Sequence, residues 1–221
     1  MATLMSGNDF RLITSPPLTI GVDVGQKVDP TAICVMEARP SAVQGEPVFT
    51  TRLLQRLPLG TSYLAVADRL VEVVTNIAAQ PVQMNHAPPS VTMLIDATGV
   101  GAPIVDMMRK ALRGSRCRVT PVTFVHGERL TTQGHGLRMG KEFLVGRLTM
   151  LMESGRVDLP VDHPEAAAMR RELEDYERRL KAGTAGTMQY GAMAAGSHDD
   201  LVTAVALASL RDSSGRGVWS C

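Results

Sequence analysis

The sequence predicts an α/β fold: a mixed central sheet, antiparallel in its first three strands and parallel in its later ones, flanked by helices. Three observations carry this expectation. Short apolar runs bounded by Gly, Asp and Pro open the chain, as strands do. Helix-periodic segments then alternate with further apolar runs, the order of a parallel sheet with right-handed crossovers. A hydrophobic share of 44% in 221 residues is enough to build one sizeable core, so disorder is not expected.

Taken in order, residues 1–17 read as a leader ending in Pro16-Pro17. LTIGVDV (18–24) and TAICVMEA (31–38) read as strands joined by a Gly/Asp/Pro turn, and PVFTTRLL (47–54) as a third. Their hairpin-like spacing makes an antiparallel meander. A helix follows, with Leu64, Ala67, Leu70, Val71, Val74, Ile77 and Ala78 at helical spacing and Thr61 or Ser62 as cap. After a Pro-rich linker, VTMLID (91–96) is an apolar run of the buried-strand type. A helix over 102–113 has Gly114 as its stop, and RVTPVTF (118–124) is a strand whose Pro121 argues for an edge or a bulge.

Residues 137–153 are expected to be a helix striped by Leu137, Leu144, Leu148 and Leu151. Pro164 opens another, striped by Met169, Leu173, Tyr176 and Leu180, and MQYGAM (188–193) suggests a short hairpin. The last element, LVTAVALASL (201–210), is apolar on nearly every face, as buried helices are. One domain is therefore expected over 18–212, with 213–221 a flexible C-terminal tail.

Composition limits the functional classes. With 23 basic against 22 acidic residues the net charge is +1, so any nucleic-acid role must rest on a local patch. One candidate is the acid-free cluster Arg109, Lys110, Arg113, Arg116 and Arg118, followed by Arg129, Arg138, Lys141 and Arg147. Such a run either contacts phosphates or is a solvated helix end complementing the dipole. Cys34, Cys117 and Cys221 make neither a zinc spacing nor a disulfide framework, which suits a reducing compartment. MATLMSGNDFR lacks the pattern of a signal peptide. No apolar run approaches the roughly 20 residues of a membrane span. A soluble, intracellular protein without a membrane partner is expected.

Three places put carboxylates where an α/β sheet would use them. Asp23 lies near the end of the apolar run IGVDVG, Asp96 ends MLID, and Asp199 with Asp200 opens the buried helix in SHDDLVTAVALA. Open sheets bind ligands beyond the carboxyl ends of their strands. If the first and fourth strands are parallel neighbours, about 4.8 Å apart, Asp23 and Asp96 stand side by side. Carboxylates that close repel unless a cation lies between them. An all-oxygen set without His or Cys pairs suits Mg²⁺ or Mn²⁺ rather than zinc. The bland alternatives are a turn-forming Asp at each strand end and a helix cap at Ser197-His198-Asp199-Asp200. Capping does not account for two acids inside apolar runs. Gly99 and Gly101 allow a tight turn after Asp96, for packing or for a phosphate. A phosphate-binding loop of the G-x-x-x-x-G-K-[ST] kind is missing: the near match at Gly136–Lys141 has the wrong glycine spacing and Glu142 where the hydroxyl belongs.

The segments IGVDVGQKVDPTA, LIDATGVGAPIVDMM, GKEFLVGRLTMLMESGRVDLP and YGAMAAGSHDDLVTAVALA, in this order and spacing, resemble the nuclease domain of tailed-phage large terminase subunits. The resemblance covers nearly all of 18–210, and DATGVG and HDDLVTAVALA are its most specific parts. It implies a ribonuclease H-like fold, two divalent ions (Mg²⁺ or Mn²⁺) on acidic residues, and cleavage of concatemeric double-stranded viral DNA during packaging in the host cytoplasm. The partners it implies are a packaging ATPase domain, a small terminase subunit and a portal. A complete large terminase carries its motor in front of the nuclease, so the chain is expected to be an excised domain or a separate one.

Carried over by position, Asp23 and Asp96 are the first two metal ligands and Asp200 the third. Some relatives place a further acid where Thr203 stands, which leaves Asp199 or the auxiliary His198 to complete the second-metal site. Lys141 falls on an apolar stripe, where it either snorkels out or reaches the carboxylates or the scissile phosphate. Arg109, Lys110, Arg113, Arg116, Arg129 and Arg138 are the candidate DNA contacts. Competing readings are a Holliday-junction resolvase-like nuclease, a non-catalytic DNA-docking module of the same fold, and an actin-like kinase or ATPase domain. For the last, the chain is short and lacks a second phosphate loop.

Overall fold

The computed structural model describes residues 13–25, 27–41, 47–82, 86–99, 101–127, 130–160, 162–183, 199–212 and 219–220. In chain order its elements are β1 (Ile13–Thr14), β2 (Leu18–Asp23), β3 (Ala32–Arg39), β4 (Val48–Arg56), α1 (Tyr63–Ala78), β5 (His86–Ala87), β6 (Val91–Asp96), α2 (Gly101–Ala111) and β7 (Cys117–Phe124). There follow β8 (Thr131–Gln133), β9 (Gly136–Met139), α3 (Lys141–Glu153), β10 (Val157–Asp158), α4 (Pro164–Gly183), α5 (Asp200–Ala208), β11 (Arg211–Asp212) and β12 (Trp219–Ser220).

Eight strands form one sheet in the order β10-β4-β3-β2-β6-β7-β9-β8. β2, β3 and β4 are the expected antiparallel meander. β2, β6, β7 and β9 run parallel, so the first and fourth long strands are indeed neighbours. Free, buried Cys34 and Cys117 sit within β3 and β7.

Two-residue alternation divides the core between the faces of the sheet. Ile20 and Val22 of β2, Ile33 and Val35 of β3, and Met93 and Ile95 of β6 pack with α1 and α2 on one face. Cys34 and Met36 of β3, Leu94 of β6 and Val122 of β7 face α3, α4 and α5 on the other. All nine residues of α5 are buried. That helix lies directly on β2 at Gly21, where a β-carbon would come within 2.1 Å of the Ala204 carbonyl oxygen. A glycine is required there because backbone meets backbone.

Three expectations need correction. Leu137 belongs to β9 and not to a helix, because Gly134, at φ +58°, turns a hairpin onto β8, and the following helix starts only at Lys141. Gly140 is its extended N-cap. Pro121 lies in an interior strand: β7 is paired with β6 from Cys117 to Val122 and acquires β9 only from Val122 onward, so the proline precedes the second ladder. In α1, which is capped by Ser62, the buried face is Val66, Ala67, Leu70, Val73 and Val74, while Leu64 is 64% exposed at the first turn. Outside the large sheet, Ile13–Thr14 pair with His86–Ala87, and Trp219–Ser220 pair with Arg211–Asp212. The rest of the leader (1–12), the 188–193 hairpin and residues 213–218 and 221 lie outside the described residues.

Candidate metal centre

The alternation that sorts the core also aims the acids. Along β2, Ile20 and Val22 turn toward α1 and α2, so Gly21 and Asp23 turn toward α5. Along β6, Met93 and Ile95 do the same, and Leu94 and Asp96 turn toward α5. The last parallel pair between these strands is Val22 with Ile95, which leaves Asp23 and Asp96 side by side one step beyond it. Because α5 lies on β2, its first turn delivers Asp200, and its N-cap Asp199, to the same edge.

Asp23, Asp199 and Asp200 each offer a carboxylate oxygen within 4.8 Å of the others. Asp96 is outside that trio: its Oδ1 accepts a 2.8 Å hydrogen bond from the Thr98 amide. Lys141, the first residue of α3, completes the group. Its Nζ lies 3.0 Å from both carboxylate oxygens of Asp199 and 5.8 Å from the Phe124 ring. Asp199 and Asp200 are only 6% and 4% exposed.

Burial pushes the Asp23 carboxyl well above the usual range; Lys141 opposes this, while Asp96, Asp200 and Asp199 add to it. Burial raises Asp96 as well, against the Thr98 hydrogen bonds and the Lys141 charge. For Lys141, burial works against the ammonium, but Asp199 and Asp23 outweigh it and the net shift is upward. One lysine therefore faces a cluster with more negative charge than it can balance. The donor set fits a hard divalent ion: oxygen only, closely spaced, largely withdrawn from water. Asp199 meets Lys141 through both carboxylate oxygens.

The structure brings Asp23, Asp199, Asp200 and Lys141 together with Asp96 beside them. His198 and Arg129 lie outside the described residues. Arg109 and Lys110 are in the last turn of α2, with Arg113 and Arg116 beyond it, all exposed and away from the acids. Arg138 is half-buried on β9. Gly101 packs against the Asp96 carbonyl, where a β-carbon would fall 1.7 Å from the oxygen. Thr203, at the position where an acid was the alternative, is fully buried.

Sequence reasoning missed Glu172 of α4. It is 7% exposed, and its Oε2 accepts hydrogen bonds from the Leu201 amide at 3.0 Å and the Val202 amide at 3.3 Å. Burial raises its carboxyl to about 7, against the nearby Arg56 guanidinium at 3.0 Å. The available signal was its place between Met169 and Leu173 on the buried stripe of an otherwise charged helix.

No family model matches the sequence, and no curated protein matches it. Solved structures do share its architecture. The nuclease domain of the large terminase subunit of bacterial virus Sf6 is similar over 89% of each chain, with a TM-score of 0.54 and 12% identity. A mutant of that domain with manganese and beta-thujaplicinol gives 0.53 and 12%, over 88% of each chain. The human cytomegalovirus terminase nuclease domain gives 0.51 and 15%, covering 88% of this chain and 82% of its own. The fold is thus the ribonuclease H-like fold of terminase nuclease domains.

Proposed function

We propose that this chain is a divalent-metal-dependent endonuclease of the terminase type, cutting double-stranded viral DNA concatemers during packaging by two-metal phosphodiester hydrolysis. The observation that carries the reading is the convergence of Asp23, Asp199 and Asp200 to within 4.8 Å beside Lys141. The manganese in the Sf6 domain's structure supports the choice of ion.

Asp23, Asp199 and Asp200 would hold one ion, and Asp96 beside Asp23 would serve the second. Such ions, Mg²⁺ or Mn²⁺, activate a water for in-line attack and offset charge on the leaving oxygen. The chain's own part is placement. The two strand ends fix Asp23 and Asp96, the buried α5 fixes the other pair, and Lys141 holds Asp199 while offering its ammonium to the phosphate. No side-chain nucleophile is required. A packaging ATPase, small subunit and portal as partners, and the host cytoplasm as the setting, belong to the same proposal.

Plasmid cleavage in Mn²⁺ tests it. The unaltered protein should nick or linearise DNA only with the metal, and Asp23→Ala, Asp96→Ala and Asp200→Ala should each abolish this while circular dichroism stays native. Lys141→Ala should lower the rate at least tenfold with little change in unfolding midpoint, whereas equal loss of both would refute its catalytic role. Absence of metal-dependent cutting, or full activity of Asp23→Ala, would overturn the reading. Preference for four-way junctions over linear duplex would reassign it to a resolvase-like activity.

A further inference from the structure

We propose that Glu172 is a positioning residue for the carboxylate cluster: from α4 it holds the first turn of α5, and with it Asp199 and Asp200, through two backbone amides. The inference rests on the metal-dependent nuclease reading above.

The first amides of any helix need acceptors from outside the helical ladder, and an N-cap Asp normally supplies one with its own side chain. Here the N-cap is Asp199, and it makes no side-chain capping bond. Its carboxylate is turned to Lys141 instead. The Leu201 and Val202 amides donate to Glu172 Oε2, at 3.0 and 3.3 Å. A carboxylate accepting backbone N–H groups at a helix N-terminus makes strong, charge-assisted bonds.

Glu172 is itself anchored. Arg56, at the end of β4, reaches Glu172 Oε1 at 3.0 Å and bonds Glu165 Oε2 at 3.1 Å. β4, α4 and the first turn of α5 therefore meet at one side chain, and the capping duty passes from Asp199 to a residue outside the cluster. Without Glu172, the N-cap Asp199 is placed to take the orphaned amides, as an N-cap Asp ordinarily does. Capping its own helix would draw that carboxylate away from Asp23 and Lys141.

The test is a Mn²⁺ titration of plasmid cleavage by the full chain, with Mn²⁺ binding measured by calorimetry and DNA affinity measured in Ca²⁺. Groups that orient metal ligands typically change metal affinity 10- to 100-fold when removed. Glu172→Ala should therefore raise the Mn²⁺ concentration for half-maximal cleavage by about tenfold or more, leaving DNA affinity unchanged. Glu172→Gln keeps an acceptor oxygen and should stay close to the unaltered protein. If Glu172→Ala does not fold, Arg56→Met, which removes the anchor and leaves Glu172 in place, should raise the Mn²⁺ requirement in the same direction. An unchanged requirement in whichever of these folds, or equal loss in Glu172→Gln and Glu172→Ala, overturns the inference. An unaltered protein that never cuts in Mn²⁺ sinks the nuclease reading instead.

Discussion

Asp23 shows most directly what the cluster costs the fold. Burial raises its carboxyl, and the neighbouring acids raise it further. In the unfolded chain the same group titrates near 3.9. Between that value and its raised folded value, the native state binds the proton more tightly. Stability from this residue is therefore greatest at acidic pH and is lost as pH rises through the window. Asp23→Asn removes the liability together with the proposed metal ligand. Metal-free, it should be more stable than the unaltered protein at pH 7 by about 1 kcal/mol, a typical gain when a strained functional group is relaxed. The difference should shrink toward pH 4, where Asp23 in the folded protein is already protonated, and DNA cleavage should be lost at every pH. Urea unfolding at the two pH values, in chelator, measures this; an equal gain at both would mean that charge burial is not the cause.

At the scale of elements, α5 decides whether the acids meet. Its ends are held by opposite charges from its neighbours: Glu172 takes the first-turn amides, and Arg147 of α3 donates to the Ser209 carbonyl at 3.0 Å, which complements the dipole at both ends. Its seat on β2 is set by Gly21. Gly21→Ala would drive a methyl group into the Ala204 carbonyl and lift the helix. Overpacking of this kind costs about 1–3 kcal/mol, and the displaced Asp199 and Asp200 should cost far more in cleavage than in folding. Thermal melts paired with the plasmid assay would check it; a stable, fully active Gly21→Ala would mean that the close approach is not needed. The helix itself was legible, because an apolar run on every face can only be buried. Gly21 was not, because a glycine in a strand carries no label for what lies over it. Residues 137–139 were misread for a related reason: Leu137 and Leu144 are seven apart, a spacing that suits two helical turns, and only the Gly134 hairpin shows that the chain changes element between them. Glu172 was hidden among charged neighbours in RRELEDYERR, where one buried acid reads like the rest.

Across the whole molecule, the near-zero net charge conceals a separation. The acids sit at the carboxyl edge of β2 and β6, whereas Arg109 and Lys110 lie in the last turn of α2 and Arg113 and Arg116 follow it toward the opposite edge. α2 begins against the Asp96 carbonyl, and its 11 residues carry the chain about 16 Å away. The Arg116 carbonyl then accepts from the amide of Val91, the first residue of β6. The sequence showed both clusters but not the distance between them, since adjacency along a chain does not say which way a crossover helix runs. Duplex DNA carries one charge per about 1.7 Å of axis, so a duplex seated on the acids would meet this cluster several base pairs from the cut. Cations that remote position the duplex without touching the reacting atoms. The combined change Arg109→Ala, Arg113→Ala, Arg116→Ala should therefore weaken DNA binding and flatten its salt dependence, by about 0.9 in the log–log slope for every phosphate no longer neutralised. Turnover at saturating DNA should be unchanged. Binding isotherms at several salt concentrations, with rates at saturation, separate the possibilities. A fall in turnover would bring these arginines into the reaction, and an unaltered slope would leave them as a solvated helix end.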